Sequence, residues 1–230
     1  MKIVLFDIDG TLLSTDGAGR RAVHQALALV FGSSVPENHE FDGKTDPQIV
    51  RELMQRVGTS VDVIEARLNE TLSRYVDLLL GELALADYSG NVYPGIPPLL
   101  DALEARDDVV LGLLTGNVRE GATAKLSSVG IVPDRFKVGA FGSDNASRPE
   151  LPAIARRQAE ELLGHPVRGN DVVVIGDTPA DMSCGLGIGA RSIGVATGRY
   201  SVEDLLACRT GVVFGDLSDT VAVMRAIIGD

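Results

Sequence analysis

Two aspartates, Asp7 and Asp9, stand two positions apart in Phe6-Asp7-Ile8-Asp9-Gly10-Thr11. Side chains at i and i+2 of an extended chain project to one side, so the two carboxylates share a face. Like charges held that close are unfavourable unless a cation lies between them. The chemistry this suggests is a hard-metal site, Mg²⁺ above all, joined to a carboxylate nucleophile. A strand end running into a polar Asx turn has the same composition, and both readings stand at this point. Gly10 lets the chain turn without a Cβ in the way, and Thr11 adds a hydroxyl.

Later loops carry polar groups of the same kind. Leu113-Leu114-Thr115-Gly116-Asn117 offers a hydroxyl and then the free backbone N–H groups of a helix start. That is a suitable phosphate cradle, with an ordinary N-cap as the alternative. Ile175-Gly176-Asp177-Thr178-Pro179-Ala180-Asp181 ends an apolar run in an acid, with a second acid four residues on. Asp177 would complete a metal site begun by Asp7, and Asp181 would hold a metal-bound water or orient a neighbour. Alternatively Asp177 or Thr178 caps a helix and Asp181 is a solvated first-turn acid. Arg148, in Ser147-Arg148-Pro149, opens a helix. Its cation would offset the clustered acids and bind a phosphoryl oxygen, or else it is an exposed helix-start residue.

The elements that must position these groups read as follows. Ile3-Val4-Leu5-Phe6 is a short apolar run suited to a parallel strand buried on both faces. Residues 17–31 have helical spacing, with Ala18, Val23, Ala26, Leu27 and Val30 on one stripe. A polar loop covers residues 32–43. Asp46 then looks like an N-cap, with Pro47 in the first turn of a helix running to about Val57. A longer helix runs from about Ser60 or Asp62 to Ala86, with Val61, Ile64, Leu68, Leu72, Tyr75, Val76 and Leu79 as its stripe. From Tyr93-Pro94-Gly95 onward, helices at about 96–106, 118–129, 149–163, 180–186 and 217–228 alternate with apolar runs at 109–114, 138–141, 172–175, 192–196 and 212–214. Strands alternating with helices mean an α/β fold with a parallel, doubly wound, Rossmann-like sheet. The expected division is a catalytic core from residues 1–14 and 89–230 and an inserted all-helical domain over 15–88.

Composition narrows the partners. The chain has 230 residues, 45% of them apolar, enough for a sizeable core. Net charge is −11 and no basic run stands out, which argues against nucleic acid or an anionic membrane surface as partner. No stretch reaches about 18 apolar residues, and the first residues enter a strand directly, so neither a membrane span nor a leader peptide is expected. Cys184 and Cys208 form no metal-binding or disulfide pattern and read as small buried side chains. A cytoplasmic protein acting as monomer or homodimer is the expectation.

Together the four motifs resemble the haloacid dehalogenase superfamily, over the whole chain and in the right order: D-x-D-G-T, a strand ending in Thr, a basic residue at a helix start, and G-D-x-x-x-D. The place of the helical insertion resembles the capped subgroup, and phosphoglycolate phosphatase-like and β-phosphoglucomutase-like members are nearest in pattern. The resemblance implies Asp7 as nucleophile, Asp9 as general acid/base, Thr115 as phosphate-binding hydroxyl, and Mg²⁺ held by Asp7, Asp9 through its carbonyl, and Asp177, with Asp181 the second acid of that motif. It implies a phosphatase acting on a small phosphorylated metabolite through an aspartyl-phosphate. Gly116 and Asn117 would join the phosphate cradle. The cap would supply specificity through residues 41–46, where Lys44 and Thr45 are candidate substrate contacts or part of a plain turn before a helix. Arg148 stands where the family usually has Lys; Lys125, in the preceding helix, is the nearest lysine and reads as a surface residue. A phosphomutase with the same chemistry, and a non-catalytic binding protein on this fold, are the rivals.

Overall fold

A computed structural model describes residues 1–229. Its centre is a six-stranded parallel sheet. In chain order the strands are β1 (Lys2–Phe6), β4 (Val109–Leu114), β5 (Val138–Ala140), β6 (Val172–Gly176), β7 (Arg191–Val195) and β8 (Gly211–Phe214), lying side by side as β5-β4-β1-β6-β7-β8. The missing numbers belong to two short strands, β2 (Leu13–Ser14) and β3 (Asn91–Val92), which pair antiparallel with Leu13 opposite Val92.

Alternation along β1 explains why it is central. Val4 and Phe6 point into one apolar layer, with Leu111, Leu113, Val173 and Ile175 from the neighbouring strands. Ile3 and Leu5 point into the other, with Val110, Leu114, Val172 and Val174. A strand clothed on both sides must be apolar wherever it is covered, as Ile3, Val4, Leu5 and Phe6 are here. Helices α4 (Ile96–Glu104), α5 (Arg119–Ser128) and α9 (Thr220–Ile228) cover the first face. Helix α6 (Leu151–Leu163) covers the second, with Cys184 at the end of α7 (Pro179–Cys184). A five-residue helix, α8 (Val202–Leu206), joins β7 to β8.

Helices α1 (Ala18–Phe31), α2 (Asp46–Arg56) and α3 (Val61–Leu83) pack on one another around Leu27, Leu53, Met54, Ile64, Leu79 and Tyr75, and Val118 beside α5 completes that core. Both chain crossings between this bundle and the sheet run through the β2–β3 pair, extended by Tyr93 N–H donating to Leu12 C=O at 3.0 Å. Among the described residues no helix is long and apolar enough to cross a membrane.

Three details differ from the sequence expectation. The α3 stripe begins at Ile64, because Val61 is exposed. Cys184 is buried, whereas Cys208 is only partly so. Thr45, not Asp46, caps α2, accepting from Gln48 N–H at 3.3 Å. Asp46 is thereby free to reach across to the sheet domain, where its Oδ2 accepts from Val118 N–H at 2.8 Å.

Candidate active site

The sheet order carries the site. β4 and β6 flank β1 on opposite sides, so the chain after β1 emerges at the point where strand order reverses, the crevice in which open α/β sheets bind ligands. Asp7, Thr115 and Asp177 each directly follow one of these three strands. Asp7 N–H continues the ladder to Ile175 C=O at 2.9 Å, and Thr115 N–H does the same to Ala140 C=O at 3.0 Å. Asp7 and Thr115 therefore stand on hydrogen-bonded strand ends rather than on free loops.

One cluster is deeply buried and rich in acid. Carboxylate oxygens of Asp7, Asp177 and Asp181 lie within 4.8 Å of one another. Arg148, itself buried, bonds Asp181 Oδ1 through Nη2 and lies 3.1 Å from Asp7 Oδ1 through the same nitrogen. Thr11 donates to Asp177 Oδ1 at 3.0 Å. Asp181 also closes a capping box, its Oδ2 accepting from Thr178 N–H at 3.1 Å and from the Thr178 hydroxyl at 2.7 Å. It is thus a buried ligand-type acid and not a solvated one. Burial raises the Asp7 carboxyl to about 6, Arg148 pulling it down and Asp181 pushing it further up. Asp177 has no such cation of its own; burial, then Asp181 and Asp7, push it up to about 9. Three carboxylates against one guanidinium leave a site short of positive charge, with oxygen donors of the kind a hard divalent cation takes. The residues fit Mg²⁺. The Asp9 carboxylate is not in this group; the donor expected from Asp9 is its backbone carbonyl.

Asp9 belongs to a second cluster. Its side chain is 41% exposed, and its Oδ2 accepts from Lys125 Nζ at 2.7 Å and from Asn117 Nδ2 at 2.8 Å. Lys125 also donates to Asn117 Oδ1 at 2.6 Å, and Asn117 Nδ2 to the Thr115 hydroxyl at 2.8 Å. Lys125 is therefore no surface residue: it is 5% exposed and enclosed by partners. Burial alone would lower its ammonium, but Asp9, Tyr75 and Asp46 hold it above the ordinary lysine range. The overlooked signal is positional. Val118, Ala122, Lys125, Leu126 and Val129 form one helical stripe, and a lone lysine there faces inward.

The cap side closes over both clusters, leaving a cavity of about 250 Å³. Phe41, Lys44, Asp46, Arg20 and Tyr75 line it opposite Asp7, Asp9, Thr115, Asn117 and Arg148. Loop 41–46 sits where a cap contact was expected, with Asp46 N–H donating to Gly116 C=O at 2.8 Å. The approach is close enough that a Cβ at Gly116 would lie 1.9 Å from the Lys44 carbonyl oxygen. Lys44 reaches the cavity wall but pairs with Glu52 at 2.5 Å. Thr45, the other candidate substrate contact, points elsewhere. It is wholly buried, its hydroxyl donating to Ala146 C=O at 2.7 Å, and it does not line the cavity. Arg20, Tyr75 and Lys125 are cavity residues that the sequence did not assign to the site, whereas Asp46 belongs to the expected contact loop.

Comparison with known proteins agrees with this fold. The sequence model of the haloacid dehalogenase-like hydrolase family matches residues 1–189. A phosphoglycolate phosphatase of Vibrio parahaemolyticus is 23% identical over 227 residues, covering 97% of this chain and 96% of that protein. Among solved structures, a β-phosphoglucomutase from Clostridium difficile superposes with a TM-score of 0.73 at 17% identity, covering 100% of this chain and 98% of the other. A hydrolase from Pseudomonas syringae gives 0.70 at 20% identity, covering 98% of each chain.

Proposed function

Since the chain belongs to the haloacid dehalogenase-like hydrolases, we propose that it is a Mg²⁺-dependent phosphatase that cleaves a small phosphate monoester through a covalent intermediate on Asp7. The observation that carries this reading is Asp7 itself: a buried carboxylate on a fixed strand end, gripped by Arg148, facing a cavity that also holds Asp9 and Thr115. Relatives named as phosphatases support it.

Asp7 attacks phosphorus, forming an aspartyl O–P bond while the bond from phosphorus to the ester oxygen breaks. Asp9 gives its proton to the departing oxygen, which leaves as alcohol. Asp9 then takes a proton from water as the water oxygen bonds phosphorus and the Asp7 O–P bond breaks, releasing phosphate. The Thr115 hydroxyl and the backbone N–H groups of Gly116 and Asn117 hold phosphoryl oxygens, and Arg148 keeps Asp7 aligned. Mg²⁺ held by Asp7, Asp177 and Asp181, with the Asp9 carbonyl as a further donor, would supply charge neutralisation at the phosphoryl group. The cap loop excludes water.

The cavity, at about 250 Å³, falls below the ~300–1,000 Å³ usual for ligand pockets, which favours a compact metabolite. Free Cys184 and Cys208 suit work in the cytoplasm. The test is phosphate release from a panel of esters (phosphoglycolate, sugar phosphates, nucleoside monophosphates) with Mg²⁺, with chelator, and with Asp7→Asn. Mg²⁺-dependent release abolished by that substitution is expected. No release from any ester, with turnover only in the presence of a sugar bisphosphate primer, would replace hydrolysis by phosphomutase chemistry.

A further inference from the structure

Lys125 has no part in the steps above, yet it is a buried cation in the cavity wall, held directly against Asp9. Two of its N–H groups go to Asp9 Oδ2 at 2.7 Å and Asn117 Oδ1 at 2.6 Å. Asn117 bonds the same Asp9 oxygen at 2.8 Å, so lysine, amide and carboxylate close a triangle. Both donors grip Oδ2, and among the described residues nothing bonds Asp9 Oδ1. A half-exposed aspartate on a turn would otherwise rotate freely about its last torsion.

We infer that Lys125 is a positioning residue for proton transfer: with Asn117 it pins Oδ2 of Asp9, so that Oδ1 is the oxygen presented first to the leaving group and then to the attacking water. The inference rests on Asp9 acting as acid and base in phosphate-ester hydrolysis.

A second feature guards the arrangement. Gly19, in the first turn of α1, lies where a Cβ would come within 3.2 Å of Lys125 Nζ and 3.9 Å of the Tyr75 hydroxyl. Alanine is the better helix former, so Gly19→Ala leaves the helix at least as stable while pressing the ammonium away from Asp9.

The test compares Lys125→Met and Gly19→Ala with wild type on two esters: an alkyl phosphate that the wild-type enzyme hydrolyses, and p-nitrophenyl phosphate, whose leaving group needs no proton. For Lys125→Met, kcat on the alkyl ester is expected to fall on the order of 10²-fold with KM little changed. On p-nitrophenyl phosphate the first turnover stays near wild type and appears as a burst of p-nitrophenolate, because the later water attack still needs Asp9. Parallel losses on both esters without a burst, or no loss on either, overturn the inference. Should Lys125→Met melt early, Gly19→Ala decides: the same split at about tenfold, with an unlowered Tm, supports the inference, and equal activity on both esters overturns it. A wild-type enzyme that hydrolyses no ester removes the phosphatase reading and this inference together, a result distinct from any of these.

Discussion

Asp7 and Asp9 are two residues apart, yet the structure puts them in opposite environments. Asp7 sits with Asp177 and Asp181 in a buried cluster that has three carboxylates and one guanidinium. Asp9, half exposed, faces Lys125 and Asn117 in a cluster whose charges cancel. The first cluster carries more acid than base; in the second, one lysine answers one aspartate. The difference teaches how one dipeptide spacing yields two roles. A carboxylate fixed on a strand end and sharing a cation with neighbours suits attack on phosphorus, while one with its own lysine and an open side suits moving protons.

The comparison breaks most sharply at Asp7. Asp7→Asn should lower phosphate release on the order of 10⁴-fold or more, measured with saturating ester and Mg²⁺, with little change in Tm. The proposed Mg²⁺ comes next. Mg²⁺ at about a hundred times its Kd should raise the wild-type Tm by about 5–10 °C, read by calorimetry, and Asp177→Asn should erase that gain. Because Asp177 is held up at about 9 without a cation, Mg²⁺ affinity should strengthen as pH rises from about 6 to 8, as the competing proton is lost.

Arg148 sharpens the contrast. The nitrogen that serves both Asp7 and Asp181 is Nη2, at the tip of the guanidinium, so Arg148→Lys keeps the charge but its shorter side chain cannot reach both at full strength. A loss of about 10- to 100-fold in kcat/KM is expected, against a larger one for Arg148→Met. The smallest effect concerns the cap. Burial raises the Asp46 carboxyl to about 6, with Lys125 pulling it back. The folded state then holds a proton that the unfolded state has released between about pH 4 and 6, so this group's contribution to stability falls as pH rises through that window and is level above it. Asp46→Asn can still accept from Val118 N–H, and it should flatten that part of the Tm–pH curve by a few °C.

The sequence reading reached the sheet and the buried cluster because both leave local marks. Asp7, Thr115 and Asp177 each end an unbroken apolar run, and a parallel sheet gathers such ends at one edge. What it missed depends on tertiary contact. Thr45 and Asp46 are both good caps, and only the docking of Asp46 on Val118 decides between them. The β2–β3 pair is two residues per strand, too short to show a period. Helix α8 did carry a mark, the capping box between Ser201 and Asp204, which its five-residue length concealed. Lys125 was misplaced because a helix lysine is usually solvated; its seat on the apolar stripe of α5 was the legible warning.

The division of labour between the two acids is tested most directly in Asp9→Asn. Given p-nitrophenyl phosphate, this variant can still form the aspartyl-phosphate, since the leaving group needs no proton, but it lacks the base that activates water. Intact-protein mass spectrometry should therefore find one phosphoryl group per chain, mapped to Asp7 and absent from the Asp7→Asn, Asp9→Asn double variant. Continued hydrolysis at the wild-type rate with no phosphoenzyme, or a phosphoryl group on a residue other than Asp7, would contradict the assignment.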